Sequence, residues 1–333
     1  MSWQRFLAVL AARNKEFLRD KAALSWNLAF PVLIVLGFAF AFSGGNNDQY
    51  KVGIIQQDKS RDLEFLHTKY IQFITVDNRQ AAMTKVARHQ LDMLLDADNN
   101  RYWINETSPK GYLLERLLNS STSNNYNREM LTGRPVRYVD WLIPGVLGMN
   151  MMFSALYGVG YVIVRYRKNG VLKRLKATPL NALEFLSAQL VSRLWLILAV
   201  VTVVYFGTHL FVDFIMHGNY LHLLAVFTLG AFSMICLGLV VAARLRSEEL
   251  ADGLLNLVSW PMMFLSGVWF SLDGLHPWVQ KLAQLFPLTH ITSAARAIML
   301  DGASLADVAG HLAILALMSL IFLLLGAFLF RWE

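Results

Sequence analysis

Long apolar runs alternate with charged segments along the chain. Long runs without a charged residue are 22–47, 141–164, 214–243, 253–272 and 308–330, and one more apolar run, 185–212, contains a single charged residue, Arg193. A helix of roughly 20 apolar residues crosses a hydrocarbon core about 30 Å thick. The pattern therefore predicts a polytopic α-helical membrane protein with six spans. Their predicted bounds are 23–43, 141–164, 184–211, 221–243, 253–272 and 308–330.

The segment 1–22 is predicted to be an amphipathic helix in the cytoplasmic interface. At 100° per residue its apolar sector holds Trp3, Phe6, Leu7, Leu10, Phe17 and Leu18. Charged residues lie on the opposite side, as in helices that rest on a membrane surface.

The segment 44–140 differs in kind from the spans that flank it. Residues 48–140 contain 13 basic and 12 acidic residues, a balance typical of a soluble fold. Alternating apolar residues predict strands at 50–55, 73–76, 91–95 and 101–105, and helical spacing predicts helices at 60–72, 79–90 and 109–131. We expect a small external α/β domain between spans 1 and 2.

Basic residues in the short loops predict the orientation. Five Lys or Arg residues lie in 1–23 and six in 165–176, against none between spans 3 and 4. Since cytoplasmic loops carry the basic excess, both termini are expected to be cytoplasmic. The formal net charge of +7 is then explained by topology, and no nucleic-acid partner is expected.

The segment 165–183 after span 2 carries the densest positive charge. Gly170 predicts a turn, Leu172 and Leu175 recur at i and i+3 between basic residues, and Thr178-Pro179 restarts a helix. A short helix beneath the membrane is suited to dock a soluble partner. Simple stop-transfer charge is the alternative, and composition does not separate the two.

The chain resembles the permease subunits of ATP-binding-cassette type-2 exporters over essentially its whole length. The resemblance is carried by Arg13–Lys21, the external α/β segment, the string Gly170–Leu180 and Phe286–His290. It implies that the N-terminal helix and the loop after span 2 contact a cytoplasmic ATPase. The implied coupling residues are Glu16, Phe17, Gly170, Leu172, Lys173, Leu175, Thr178 and Pro179. The family often has acidic residues around this glycine, whereas Arg167, Lys168, Asn169 and Lys173 stand there, so no particular ion pair is carried over.

No Gly-x-x-x-x-Gly-Lys-Ser/Thr string occurs in the chain, so it is not expected to hydrolyse ATP by a P-loop. The resemblance implies that no cofactor is bound by this chain and that ATP and Mg²⁺ bind the ATPase. Further implied partners are a second copy or sister permease, membrane lipid and a periplasmic adaptor. The implied location is the bacterial inner membrane, with export of an apolar or amphipathic, drug-like or lipid-like substrate.

Two clusters are candidates for the path and its outer gate. Met and aromatic residues suit varied apolar ligands, and the resemblance implies that spans 2 and 5 lie along a central pathway. The candidate path residues on these spans are Asn150, Met151, Phe153, Trp260, Met263 and Phe264. Plain helix packing is the alternative. The segment 274–307 is too polar for a span and too apolar for a free loop. It is predicted to form re-entrant or interfacial helices, with Pro287, Leu288 and Thr289 at the gate, or an external amphipathic helix packed on the spans.

Two further features carry weaker expectations. Arg193 lies about two turns into span 3 and is expected to snorkel to the inner interface. His209, Asp213 and His217 are spaced i, i+4 and i+8 and form a weak candidate Zn²⁺ site if the helix continues through them. A rival function is a non-transporting membrane receptor that uses 48–140 as its sensor.

Overall fold

The computed structural model describes residues 3–41, 50–55, 64–76, 79–121, 126–133, 136–272, 276–330 and 332. The chain forms two compact units. The first combines Met1–Ala41 with Tyr138–Glu333 and is helical. The second, Phe42–Arg137, holds a five-stranded sheet and coincides with the predicted α/β segment.

The first unit is built from ten helical stretches in the described part of the chain. They are α1 (Trp3–Arg19), α2 (Lys21–Ala41), α5 (Tyr138–Ala155) continuing through a π-helical segment (Leu156–Tyr161) into α6 (Val162–Lys168), α7 (Val171–Lys176), α8 (Ala182–Val212), α9 (Tyr220–Ala242), α10 (Glu248–Leu265), α11 (Pro277–Ala283), α12 (Pro287–Asp301) and α13 (Ala309–Leu329). Within the described residues, four helices are long and apolar enough to cross a membrane: Tyr138–Lys168, Ala182–Val212, Tyr220–Ala242 and Ala309–Leu329. The chain is thus a polytopic helical membrane protein.

The other two predicted spans fall on α2 and α10. Helix α2 spans Lys21–Ala41 and carries Pro31 inside the helix. Helix α10 begins with Glu248 and Glu249 after the N-cap Ser247, whose hydroxyl accepts the Leu250 N–H at 3.2 Å. It ends at Leu265, so the predicted helix over 266–272 is wrong. Gly267 has φ +69° just after the helix, a left-handed conformation that terminates a helix.

Helix α9 lies at the centre of the helical unit, in contact with α5, α8, α12 and α13. Small residues allow these approaches. A Cβ on Gly230 would lie 2.6 Å from the Ile291 side chain, and one on Gly238 would lie 3.3 Å from Leu156 Cα. Cys236 is buried in the same helix, as expected of a packing residue.

The segment between α10 and α13 contains the helices α11 and α12, of which α12 is largely buried and α11 is mostly exposed. Prolines 277 and 287 each occupy the first turn of a helix, where a missing N–H costs nothing. Helix α12 packs against α5, α9 and α13, with Leu288, Ile291 and Ile298 fully buried. The segment is therefore an integral part of the helical unit.

The second unit contains β1 (Tyr50–Ile55), β2 (Ile71–Val76), β3 (Met93–Asp96), β4 (Arg101–Asn105) and β5 (Asn127–Leu131), with α3 (Arg79–Ala87) and α4 (Pro109–Ser121). The strand order is β2-β1-β3-β4-β5, parallel throughout except for the β3–β4 pair. Strand β3 is buried along its whole length, and two apolar clusters form the core.

Two helix predictions in this unit are wrong in part of their length. The helix predicted over 109–131 ends at Ser121, and Asn127–Leu131 instead pairs with β4. In the described part of 60–72 there is a single 3₁₀ turn, Glu64–His67, and Ile71 already belongs to β2. In both places the strand is stabilised by pairing with a neighbour distant in sequence, which local spacing does not report.

Candidate functional site

Helix α7, inside the charged loop, presents one apolar and one basic side. Gly170 precedes it in a left-handed conformation, φ +66°, that turns the chain after α6. Leu172 is fully buried and Leu175 half-buried, whereas Lys173 and Arg174 are exposed. Leu172 thus anchors α7 in the helical unit, and its predicted role in coupling would be to hold the helix rather than to contact a partner.

The basic loop contains a cation that is not at the surface. Arg167 is 8% exposed, and its guanidinium donates to the carbonyls of Ala242 and Ala243, both at 2.9 Å, and of Leu245. Ala242 and Ala243 end α9 and Leu245 follows it, so the cation meets the negative end of the helix dipole. Stop-transfer charge alone does not explain this residue, because its charge caps a helix within the protein.

Lys168 connects the same loop to the start of α10. Its Nζ lies 3.8 Å from carboxylate oxygens of both Glu248 and Glu249, and Tyr161 also donates to Glu248 at 2.9 Å. The end of span 2 is therefore fixed to the end of α9 and to the start of α10.

The N-terminal helix α1 is attached to the helical unit through a three-residue cluster. The Arg13 guanidinium donates to Glu16 at 2.7 Å and to the Tyr166 hydroxyl at 2.6 Å, and that hydroxyl donates to Glu16. Arg5 donates to the carbonyl of Pro179. Helix α1 is thus held beside the chain on both sides of α7, and Glu16 serves this attachment.

A second attachment joins α1 to α8. Asn14 Oδ1 accepts from Ser192 Oγ at 2.6 Å and from Trp195 Nε1 at 3.1 Å. One helical turn further on, the Phe17 ring lies 5.2 Å from the Arg193 guanidinium. Sequence reasoning missed Asn14 and Tyr166 because their partners are more than 150 positions away.

Arg193 does not snorkel; that expectation is wrong. The side chain is 8% exposed and donates to Ser154 O and Ser154 Oγ, each at 2.8 Å. It lies against the π-helical segment, where a Cβ on Gly158 would be 2.0 Å from Arg193 Cζ. Burial with hydrogen bonds inside the unit is the usual arrangement for an intramembrane cation.

The two remaining coupling candidates lie at the surface. Thr178 and Pro179 are exposed after α7, and Thr178 Oγ1 donates to Leu175 O at 2.6 Å. Helix α8 then begins at Ala182, with the Glu184 carboxylate accepting the Asn181 N–H at 3.1 Å. The predicted Thr-Pro helix restart is confirmed, three residues after Pro179.

The candidate path residues separate into two groups. Trp260 and Phe264 are exposed and stack at 6.0 Å, and Asn256 Oδ1 accepts from Trp260 Nε1 at 3.1 Å and from the Tyr157 hydroxyl at 2.8 Å. The half-buried Phe153 lies 6.2 Å from Tyr157. We call Phe153, Tyr157, Asn256, Trp260 and Phe264 the aromatic surface. Met151, Met263 and Asn150 are instead buried.

The predicted gate residues are all buried. Pro287 starts α12, Leu288 is fully buried, and Thr289 Oγ1 donates to Ala283 O at 2.6 Å and Ser266 Oγ at 3.0 Å. Thr289 thus connects α12 to the end of α11 and to the end of α10.

The weak metal candidate is wrong. Helix α8 ends at Val212, and Asp213 adopts a left-handed conformation, φ 43°, so the three residues do not share a helical face. His209 packs edge-on to Phe214 at 4.7 Å, and the His217 N–H donates to Met299 O. Among the described residues no group of three His, Cys, Asp or Glu is placed to hold a metal ion.

These features were compared with known proteins. The family model described as "ABC-2 family transporter protein" matches residues 21–328. The chain belongs to this family. Residues matched in ABC transporter G family member 20 of Dictyostelium discoideum are 28% identical over 169 residues, covering 51% of this chain and 23% of that protein. Nodulation protein J of Rhizobium leguminosarum bv. viciae is 32% identical over 111 residues, 33% of this chain and 42% of that protein. The matched segments thus span less than half of either relative.

Proposed function

We propose that this chain is the permease subunit of an ATP-driven exporter and that a separate cytoplasmic ATPase docks on α7 and α1. One observation carries the proposal: α7 is anchored by a buried leucine while its exposed side is basic, and α1 is attached beside it. We call the exposed residues Lys173, Arg174, Lys176, Thr178 and Pro179 the coupling surface. Membership of the ABC-2 family supports this role.

The proposed topology has six spans. Helices α2 and α10 join the four long apolar helices, and both termini face the cytoplasm with the coupling surface. The second unit, Phe42–Arg137, follows span 1 and is then external. In a bacterial inner membrane this unit is positioned to meet a periplasmic adaptor.

The proposed active assembly contains two permeases, either two copies or one copy and a sister chain. The aromatic surface would line the path between them. Supporting this, Trp260 is 51% exposed and Phe264 45% exposed in the single chain, and both present large apolar rings beside the polar Asn256. Such a surface suits an apolar or amphipathic substrate. ATP and Mg²⁺ would bind in the ATPase, whose cycle drives alternation between inward-open and outward-open states.

Because the coupling surface is basic, the ATPase that docks there is expected to offer acidic residues. The test starts from affinity purification of the full-length chain, identification of the co-purifying ATPase by its P-loop sequence, and measurement of its affinity for the chain in nanodiscs. Lys173→Glu with Arg174→Glu should weaken binding roughly tenfold or more. Raising the salt from 50 to 500 mM should weaken wild-type binding, since surface charges are screened.

Lys85→Glu, an exposed substitution on α3 of the second unit, is the matched control and should leave the affinity unchanged. Equal binding by the double variant and wild type would remove the coupling surface from the proposal. Purification with no ATPase at all would favour the receptor alternative.

A further inference from the structure

A polar cavity of about 310 Å³ opens within the helical unit, away from the coupling surface. Its walls come from the start of span 2, the turn after α10, and one side each of α11 and α12. The side chains on which the argument rests are Trp141, Ser271, Gln284, Ser293, Arg296 and Asp301. This volume lies at the lower end of the range for small-molecule sites.

The cavity wall formed by α12 is a continuous polar stripe. Thr289, Ser293 and Arg296 recur at helical spacing on the cavity side, while Leu288, Ile291 and Ile298 are fully buried in the unit. Polar side chains in a membrane-embedded helical unit are costly, and those that occur usually line a water-filled cavity or a ligand path. The stripe therefore marks the cavity as a place for a polar ligand.

The positively charged side chain in the cavity wall, Arg296, already binds other groups of the protein. Arg296 donates from Nε to Trp141 O at 3.1 Å and from Nη2 to Gly267 O, and its Cζ lies 3.6 Å from the Trp141 ring centroid. Among the described lining residues Arg296 and Asp301 are the charged pair, so their formal charges cancel. As far as the described residues form it, the wall favours neither an anion nor a cation.

What the cavity offers a ligand is neutral hydrogen bonding. In the described part of the chain, the hydroxyl of the half-buried Ser293 and the side-chain amide of the exposed Gln284 make no hydrogen bond within the protein, whereas Thr289 uses its hydroxyl within the protein. An amide supplies donors and an acceptor, and a hydroxyl supplies both roles. Vicinal hydroxyl groups of a ligand have the same dual capacity.

From the volume, the polar stripe and the neutral donors and acceptors, we propose that this cavity binds a neutral polyhydroxyl group the size of one sugar ring. The group belongs either to a free sugar or polyol or to the headgroup of a glycolipid. Gln284, at the end of α11, and Ser293, on α12, bind this polyhydroxyl group. Arg296 positions Trp141 at the edge of the cavity.

The experiment uses the full-length chain in nanodiscs of phosphatidylcholine, prepared without maltoside or glucoside detergent because those headgroups would compete. Saturation-transfer NMR with methyl β-D-glucoside and with myo-inositol should give saturable binding. Gln284→Leu and Ser293→Ala should each weaken it roughly fivefold, as for loss of one neutral hydrogen bond. Gln90→Leu and Ser120→Ala, exposed on the second unit, should leave it unchanged.

The melting temperature of each variant is measured in parallel, so that loss of binding is assigned only to a folded protein. A monoglucosyl diacylglycerol is then placed in the nanodisc. If it displaces methyl β-D-glucoside, the bound polyhydroxyl group belongs to a lipid headgroup; if it does not, the group belongs to a free sugar. The proposal is overturned by absence of saturable binding to wild type or by equal binding to the Gln284 and Ser293 variants. It is also overturned if glycerol 3-phosphate or choline binds more tightly than the neutral probes.

Discussion

The guanidinium of Arg193 lies against Gly158 of span 2, in space that a side chain at position 158 would fill. A Cβ on Gly158 would lie 2.0 Å from Arg193 Cζ and 2.1 Å from Nε, so the Arg193 side chain would have to move. Gly158 belongs to the π-helical segment Leu156–Tyr161, and such segments frequently occur at functional sites. This pair joins spans 2 and 3, and the Phe17 ring of α1 lies on the other side of Arg193.

Replacement of Gly158 by Ala should therefore displace Arg193 from Ser154. Overpacking of this kind costs roughly 1–3 kcal/mol, measured as a lower melting temperature of the purified protein. Gly207→Ala, on α8 with no atom within 4 Å of the added Cβ, is the matched control. Adding Arg193→Leu to Gly158→Ala should cost less than the sum of the single changes, and strict additivity would contradict the contact.

Arg167→Ala should destabilise the helical unit because three carbonyls at the end of α9 lose their donor. Charge-assisted hydrogen bonds contribute roughly 1.5–3 kcal/mol, which lowers the melting temperature by about 5 °C for a protein of this size. Arg165→Ala, an exposed residue two positions away, should have little effect. Arg167→Lys keeps the charge but loses the planar fork, so we expect an intermediate melting temperature.

Tyr166→Phe should loosen α1 without unfolding the helical unit. The hydroxyl of Tyr166 is shared by Arg13 and Glu16, and its removal costs roughly 1 kcal/mol. Hydrogen exchange should become faster in Trp3–Arg19 and stay unchanged in Tyr220–Ala242. Tyr70→Phe, which removes an exposed hydroxyl of the second unit, serves as the control; equal exchange of α1 in both variants would argue against the attachment.

Asp92 makes the stability of the second unit pH-dependent. Burial raises the pKa of Asp92 above its ordinary value of 3.8, against the lowering effect of the Lys51 N–H and the nearby Lys110. The pKa of Asp92 is higher in the folded than in the unfolded state, so protonated Asp92 favours the folded state. This contribution of Asp92 to the stability of the second unit is fully present below pH 3.8 and is lost as the pH rises through the raised pKa.

Asp92→Asn should therefore stabilise the second unit at neutral pH, because the amide oxygen still accepts the Lys51 N–H and no charge is buried. The measurement is the hydrogen-exchange protection of β1 and β3, corrected for intrinsic rates, at pH 5 and pH 7.5. Glu106→Gln, an exposed carboxylate, should not change that protection. A variant less stable than wild type at pH 7.5 would show that burial is not the dominant influence on Asp92.

Local pattern determined the apolar helices and the strands whose own residues alternate. The strand Arg101–Asn105 and the turn at Gly170 follow from local spacing and from glycine. The basic loop was also predicted to contain a short amphipathic helix with Leu172 and Leu175 as its apolar positions, whereas the burial of Leu172 comes from the structure. Since six apolar runs separated by charge suit a membrane, the class of protein follows from sequence as well.

Tertiary structure decided what each charge in those segments does. The sequence does not distinguish three basic residues of the loop after span 2. In the structure Arg167 caps α9, Lys168 lies near two glutamates and Lys173 is exposed. Strand β5 exists because β4 pairs with it, and Arg193 is buried because Gly158 leaves it room. The physical reason is common to all of these. A local pattern reports which face of an element is apolar, whereas the partner of a buried charge or an unpaired strand comes from a segment far away along the chain.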